Sequence, residues 1–325
     1  MTFKSTALSL LVLAGLVLAG CGKGPETAAG PAAPGKKLTV GFAQEGAENA
    51  WRAANTGSFQ AEAKKRGIDL KFTEAQGKEE NQISAVKSFI AQHVDAIVIA
   101  PVVETGWEPV LKEARDANIP VILSDRSIKV DDDKLYACFV GSDFKKEGQM
   151  IAQWLIQHTG GKGRILELVG TPGSAPANDR HNAFADAIKG TNLTIIDSQS
   201  GDFKRDGGKQ VMEAFLKKYK KGDFDIVYSH NDDMAIGAIQ AIEEAGLKPG
   251  TDILIISIDG LKEAVQAIVD GKINCVVECN PLAGPVVFDA VAKVVAGQTV
   301  PRISYNPDQL FDQTNAAAAV ASRQY

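Results

Sequence analysis

The chain has 325 residues, 45% of them hydrophobic and 23% charged, enough to bury two cores of ordinary size. Its net charge is −5 and no basic face or long basic run is present, which argues against a nucleic-acid partner. The four cysteines, Cys21, Cys138, Cys275 and Cys279, form no disulfide framework and no metal-ligand spacing.

Met1 to Gly20 carries Lys4 and then the apolar run Ala7–Ala19, a secretory signal too short to span a membrane. It closes on Leu18-Ala19-Gly20-Cys21, which resembles the bacterial lipobox. That resemblance implies a lipoprotein signal over 1–21, with Cys21 lipidated. Residues 22–37 are Gly, Pro, Ala and Lys with little else apolar, and read as a flexible tether.

From Leu38 strand and helix signals alternate. Leu38–Ala43 is the first strand, and the helix from about Trp51 stops at Gly67. Ile68–Phe72 alternates with period two, and Glu79–His93 places Ile83, Val86 and Ile90 on one helix face. Val94–Ala100 is a central strand, Pro109–Ala117 a helix, and Ile119–Leu123 a buried strand that leads into Asp125 and Arg126. Tyr136–Gly141 closes this series. The second series runs helix Phe144–His158, strand Arg164–Val169, helix Asn178–Lys189, strand Leu193–Ile196, helix Arg205–Lys218 and strand Ile226–Ser229. Helix Asp233–Ala245, strand Ile253–Ile258, helix Leu261–Asp270, the extended Asn274–Glu278 and helix Pro281–Ala296 follow. Cys275 and Cys279 then lie roughly 13 Å apart by strand rise, beyond the reach of a bridge.

This alternation specifies α/β units with parallel sheets, in two doubly wound domains of similar build. The chain after Glu278 has one helix and one strand too many for the second domain. It is expected to cross back to the first and return near Asn306, giving three hinge segments. The expected bounds are 38–141 plus 281–305 for one lobe and 142–280 plus 306–325 for the other.

Open α/β sheets present their working groups beyond the carboxyl ends of their strands. Those ends carry Gln44, Glu48, Asn49, Trp51 and Arg52, then Asp125 and Arg126, then Arg180, expected in the first turn of its helix. Asp202, Phe203 and Arg205, then His230, Asn231, Asp232 and Asp233, then Asp259 and Gly260 follow, with Glu278 and Asn280 on the segment that crosses back. An isolated Asp-Arg pair is ordinarily a surface ion pair, and Asp232 or Asp233 suits a helix cap or first turn. The recurrence from strand to strand exceeds what capping needs. Carboxylates only accept hydrogen bonds and guanidiniums only donate them. Arg52, Arg126 and Arg180 balance Glu48, Asp125 and Asp259 in sign, and Asn231 is neutral. A balanced cleft suits a neutral polyhydroxyl ligand better than a phosphate, with Trp51 and Phe203 available to stack on a ring; a zwitterion such as an amino acid also fits.

Several stretches together carry a resemblance: Thr39–Phe42, Trp51–Ala54, Glu80–Gln82, Ala100–Val102, Thr105–Ala114, Asp125–Ser127, Ser198–Phe203, His230–Met234, Ile236–Ile242 and Ser257–Gly260. From Leu38 to the end the chain resembles the periplasmic sugar-binding proteins of ABC importers, in the ribose/galactose cluster and within it the galactofuranose binders. The resemblance implies a type I periplasmic-binding-protein fold and a furanose-form hexose held by Glu48, Arg52, Asp125, Arg126, Arg180, Asn231 and Asp259. Trp51 and Phe203 match positions of ring-contacting aromatics. Asn49, His230, Glu278 and Asn280 fall to hinge or supporting roles. Cys279 and its neighbours depart from the glutamine that ribose binders carry in this hinge.

No nucleophile elbow, P-loop, dinucleotide fingerprint or zinc-protease motif is present. Arginines beside the acids are expected to keep them ionised, which deprives a glycosidase of its general acid. A LacI-type regulator would need a DNA-binding headpiece where this chain has a signal and tether. The expected protein is a monomeric, exported, lipid-anchored, non-catalytic sugar binder, with no cofactor or metal, that serves an ABC permease. A chemotaxis or sensor receptor is the alternative use of the same site.

Overall fold

The computed structural model describes residues 37–325; the signal, Cys21 and nearly all of the tether lie outside the described residues. No helix among the described residues is long and apolar enough to cross a membrane.

The first series forms β1 (Thr39–Gln44), α1 (Ala50–Arg66), β2 (Asp69–Glu74), α2 (Glu79–Ala91), β3 (Ala96–Ile99), α3 (Glu108–Asp116), β4 (Val121–Ser124) and β5 (Cys138–Gly141). The second forms α4 (Phe144–Thr159), β6 (Lys162–Val169), α5 (Ala175–Ala187), β7 (Asn192–Ser200), α6 (Arg205–Lys218) and β8 (Ile226–Ser229). It continues through α7 (Asp232–Glu244), β9 (Leu254–Asp259), α8 (Lys262–Val269) and β10 (Cys275–Glu278). Then come α9 (Gly284–Val295), β11 (Ile303–Tyr305), β12 (Leu310–Asp312) and α10 (Ala316–Val320). One sheet has the order β11-β5-β4-β3-β1-β2, and the other β12-β10-β9-β8-β6-β7. All pairings are parallel except β10 with β12. The protein thus has a two-domain α/β fold, and its sheets are linked by short connections: 142–143, 279–283 and 306–309. These connections bond to one another, Ser142 Oγ donating to Asp308 Oδ1 (2.9 Å) and Asn306 Nδ2 to the Asn280 carbonyl (3.3 Å).

Period-two strands divide the first lobe's core between its two faces. Ile97 and Ile99 of β3 pack with the cluster under α2 and α3, while Ala96 and Val98 join the cluster beneath α1 and α9. The second lobe has one larger cluster built from β6, β8, β9 and β10 with their helices. Gly148 lets α4 lie against α5, since a Cβ there would sit 2.7 Å from the Arg180 carbonyl oxygen.

Several expectations are corrected. The buried face of α2 is Gln82, Ala85, Val86 and Phe89, with Ile83 and Ile90 only partly buried. Helix α2 ends at Ala91, and His93, at φ 52°, is in the turn beyond it rather than in the helix. Helix α5 starts at Ala175 under a Ser174 cap, which moves Arg180 from the expected first turn to the second. β7 is more than twice the expected length; it is an edge strand, so its polar end Asp197–Ser200 can continue the ladder without burial. Helix α9 begins at Gly284, not Pro281, because Asn280 Oδ1 accepts the Leu282 N–H (2.8 Å) and holds a turn there.

Candidate functional site

The loop after β1 and the first turn of α1 place Glu45, Glu48, Asn49, Trp51 and Arg52 together. Asn49 caps α1 through its side chain, which accepts from Arg52 N (2.8 Å). Arg52 is 3% exposed, and its Nη2 lies 2.9 Å from Glu45 Oε1 and 2.8 Å from Asp125 Oδ2. Asp125 leaves β4 at φ 63°, a left-handed turn that an Asp tolerates. Gly141 permits this turn to pass close to β5, for a Cβ there would meet the Asp125 carbonyl oxygen at 2.9 Å. Arg126 Nη1 donates to Glu45 Oε2 at 2.9 Å, so one buried carboxylate braces both arginines.

The second lobe builds its part differently. Arg180 donates through Nε to Glu147 Oε2 (2.7 Å) on α4 and through Nη1 to the His230 carbonyl (2.7 Å), with Asp259 Oδ1 at 3.9 Å from Nη2. His230 Nε2 meets Glu167 Oε1 at 3.0 Å; Glu167 also accepts from Ser198 Oγ (2.7 Å) and faces His181 Nδ1 (2.9 Å). Asp232 accepts from Ser257 Oγ and Leu261 N, both at 2.7 Å, and so fixes the turn that holds Asp259 at φ 136°.

The two sets of residues meet at one hollow, with about 280 Å³ of empty space counting its opening to solvent, lined from both lobes. The nine residues proposed as contacts from the sequence, Glu48, Trp51, Arg52, Asp125, Arg126, Arg180, Phe203, Asn231 and Asp259, all line it, as does Asn49. Asn231 is also the α7 cap, accepting from Met234 N, so Asp232 and Asp233 are first-turn residues rather than caps. Phe203, at φ 60°, turns its ring toward Arg126 and Arg180. His230, Glu278 and Asn280 do not line the hollow. Glu278 instead accepts from Arg323 Nη1 (2.6 Å) and Tyr325 OH (2.7 Å), which ties the C-terminus to the end of β10.

Sequence reasoning missed Phe144, Pro176 and Cys279 in the lining, and missed Glu45 and Glu147 as partners of the arginines. Glu45 had a signal, its place directly after the first strand. Glu147 had none, because its partner is 33 residues away. The even charge count changes accordingly: five carboxylates, of Glu45, Glu48, Asp125, Glu147 and Asp259, face three guanidiniums. Nor do the arginines keep every acid ionised. Burial pushes Glu45 up to about 8 against the pull of Arg126 and Arg52. Burial penalises Glu48 too, but its hydrogen bond with Glu45 and the fields of Arg52 and Arg126 hold it down to about 2. Burial raises Glu147 against the field of Arg180, and raises Asp259, where Asp232 and Asp233 reinforce it. Arg52 Nε and Nη1, Arg126 Nε and Glu48 Oε1 are buried without a hydrogen-bond partner in the protein. Donors and acceptors are thus interleaved at the hollow, which is what pairs of hydroxyls require.

The periplasmic binding protein domain family matches residues 40–299. This chain belongs to that family. It is a binding protein and not an enzyme. It is 56% identical over 268 residues to the galactofuranose-binding protein YtfQ of Escherichia coli (strain K12), covering 81% of this chain and 84% of that one. The arabinose-transporter binding protein of Shewanella sp. ANA-3, solved with α- and β-L-arabinofuranose, is 51% identical with a TM-score of 0.86, over 88% of this chain and 96% of that one. A Mycobacterium smegmatis protein solved with β-D-fucofuranose is 51% identical with a TM-score of 0.85, over 89% and 95%.

Proposed function

We propose that this periplasmic binding protein is the exported solute-binding component of an ABC sugar importer, and that it captures galactofuranose or a related furanose-form monosaccharide. The fold is read as type I, with lobes 38–141 plus 281–305 and 142–280 plus 306–325. The lobes swing about the three connections, close on one sugar and present the closed shape to a permease. The chain acts as a monomer, held at the membrane by lipidated Cys21 and the 22–37 tether. Three relatives with furanose sugars in their names or structures support the ring form.

The observation that carries the reading is the hollow itself. Arginine N–H groups and a carboxylate oxygen of the first lobe, without partners in the protein, lie at a hollow that both lobes line, Trp51 from the first and Phe203 from the second. The geometry disfavours an amino acid. Five carboxyl groups already face the three guanidiniums, so an α-carboxylate would enter a cleft crowded with acidic groups. Calorimetric titration of the purified protein with galactose, arabinose, ribose and amino acids tests this. Heat from galactose and arabinose is expected, with an apparent affinity for galactose reduced by its small furanose fraction. Heat from an amino acid alone would overturn the sugar assignment.

A further inference from the structure

We propose that Glu104 and Asn178 form a latch on the rim of the cleft that sets how long the closed form persists, without either residue touching the ligand. The proposal rests on the closing motion read above.

Glu104 lies on the loop after β3, in the first lobe, and is 6% exposed. Its Oε2 accepts from Asn178 Nδ2 of the second lobe at 2.6 Å and from Lys129 Nζ of its own lobe at 2.7 Å. Its backbone N–H donates to the Gly173 carbonyl at 3.0 Å, a second bond across the cleft. The loop beneath is firm: Trp107 is fully buried and donates through Nε1 to the Val103 carbonyl (2.8 Å), and Lys129 N donates to the Glu104 carbonyl (2.6 Å). Asn178 lies on α5 two residues before Arg180, so the latch holds the helix that carries the second lobe's guanidinium. Neither Glu104 nor Asn178 lines the hollow.

The cross-lobe bonds exist only while the lobes are closed. In the open form Glu104 and Asn178 return to water, though Glu104 keeps Lys129. The Asn178 bond, charge-assisted and short, therefore weights the closed state alone. Ligand enters through the open form and leaves only after reopening, so the weight falls on dissociation rather than association. A contact residue would change the preference among sugars, whereas the latch acts on every sugar alike. Of a second pair of cross-lobe bonds, both 3.0 Å, Asn49 Nδ2 to the Phe203 carbonyl joins two lining residues and Ala50 N to Asp233 Oδ2 adjoins one of them, Asn49, so neither can be separated from binding in this way.

Stopped-flow measurement on the intact protein, with galactose and arabinose as probes, tests the latch. Asn178→Ala leaves the Glu104–Lys129 pair in place and puts a good helix former in α5. It is expected to raise the dissociation rate about tenfold for both sugars. The association rate should stay within twofold, and so should the ratio of the two affinities. Glu104→Gln keeps an acceptor without the charge and should give a smaller change in the same direction. A dissociation rate within twofold of wild type for Asn178→Ala, or a loss that differs between the sugars, would overturn the latch. If wild type bound neither sugar, the functional reading would fail instead. The latch would then be judged by ligand-free scattering: a more compact wild type than Asn178→Ala supports it, and equal profiles overturn it.

Discussion

The two halves of the cleft solve one problem in different ways. In the first lobe, Arg52 and Arg126 share two buried acids, Glu45 at 2.9 Å from each and Asp125 at 2.8 and 3.8 Å, and keep three nitrogens without hydrogen-bond partners. In the second lobe, Arg180 is fastened by Glu147 and by the His230 carbonyl, and none of its nitrogens is buried without a partner. Behind it, Glu167 ties His230, His181 and Ser198 together. The first half is thus built to offer donors, and the second to hold one guanidinium rigidly beside Asn231, Asp259 and the Phe203 ring. Shared carboxyl groups brace two arginines while leaving part of each fork open, whereas Arg180 has its own partners at Nε and Nη1 and only Asp259, at 3.9 Å, near Nη2.

Truncation of the arginines separates the halves most sharply. Arg52→Ala should weaken sugar binding by about 4 kcal/mol and Arg180→Ala by about 2 kcal/mol, within the range for truncated buried charges. Calorimetry with the preferred sugar checks the order; a larger loss at Arg180 would reverse the comparison. Glu147→Gln comes next. It leaves Arg180 a neutral acceptor in place of its buried counter-ion and should reduce affinity by roughly 1.5 kcal/mol, while the same sugar panel keeps its ranking.

The halves also differ in how they answer pH. Glu45 in the first holds its proton up to about 8, and Asp232 in the second, mainly through burial, up to about 7. A carboxyl that binds its proton more tightly folded than unfolded contributes stability that is complete below its ordinary pKa. That contribution is lost as the pH rises through the folded value. For Glu45 the window is about 4.5 to 8, and for Asp232 about 3.8 to 7. Above pH 5, where Glu48 stays ionised, the Tm should therefore fall toward pH 8, and Glu45→Gln should flatten that slope. A Tm that rises across this range in wild type would contradict the protonated Glu45. The smallest effect is expected at His181, which is part exposed; Glu167 keeps His230 and Ser198 without it. His181→Asn should change stability by less than about 0.5 kcal/mol in denaturant unfolding.

Much of this comparison was legible in the sequence, for a physical reason. Parallel strands buried on both faces, such as Ala96–Ile99 and Val121–Ser124, appear as short apolar runs, and the polar groups just beyond them have to converge at one edge of the sheet. That alone brought nine residues to one hollow. What escaped were features set by tertiary contact. Glu147 is an ordinary helix position until α4 lies on α5, and Gly148 made that approach possible without announcing its partner. Asn231 read as a ligand group and is also a helix cap, because one amide can accept from Met234 N and donate to the Phe203 carbonyl. The upward shifts of Glu45 and Asp259 were misjudged because burial, which the sequence does not display, outweighs the arginine fields.

The central claim is that a furanose ring fills the hollow. Galactose labelled with ¹³C at its anomeric carbon, added to the purified protein and followed by NMR, tests it directly. The bound signal is predicted at the furanose position, with the pyranose signals left as free sugar. A bound pyranose signal would contradict the account.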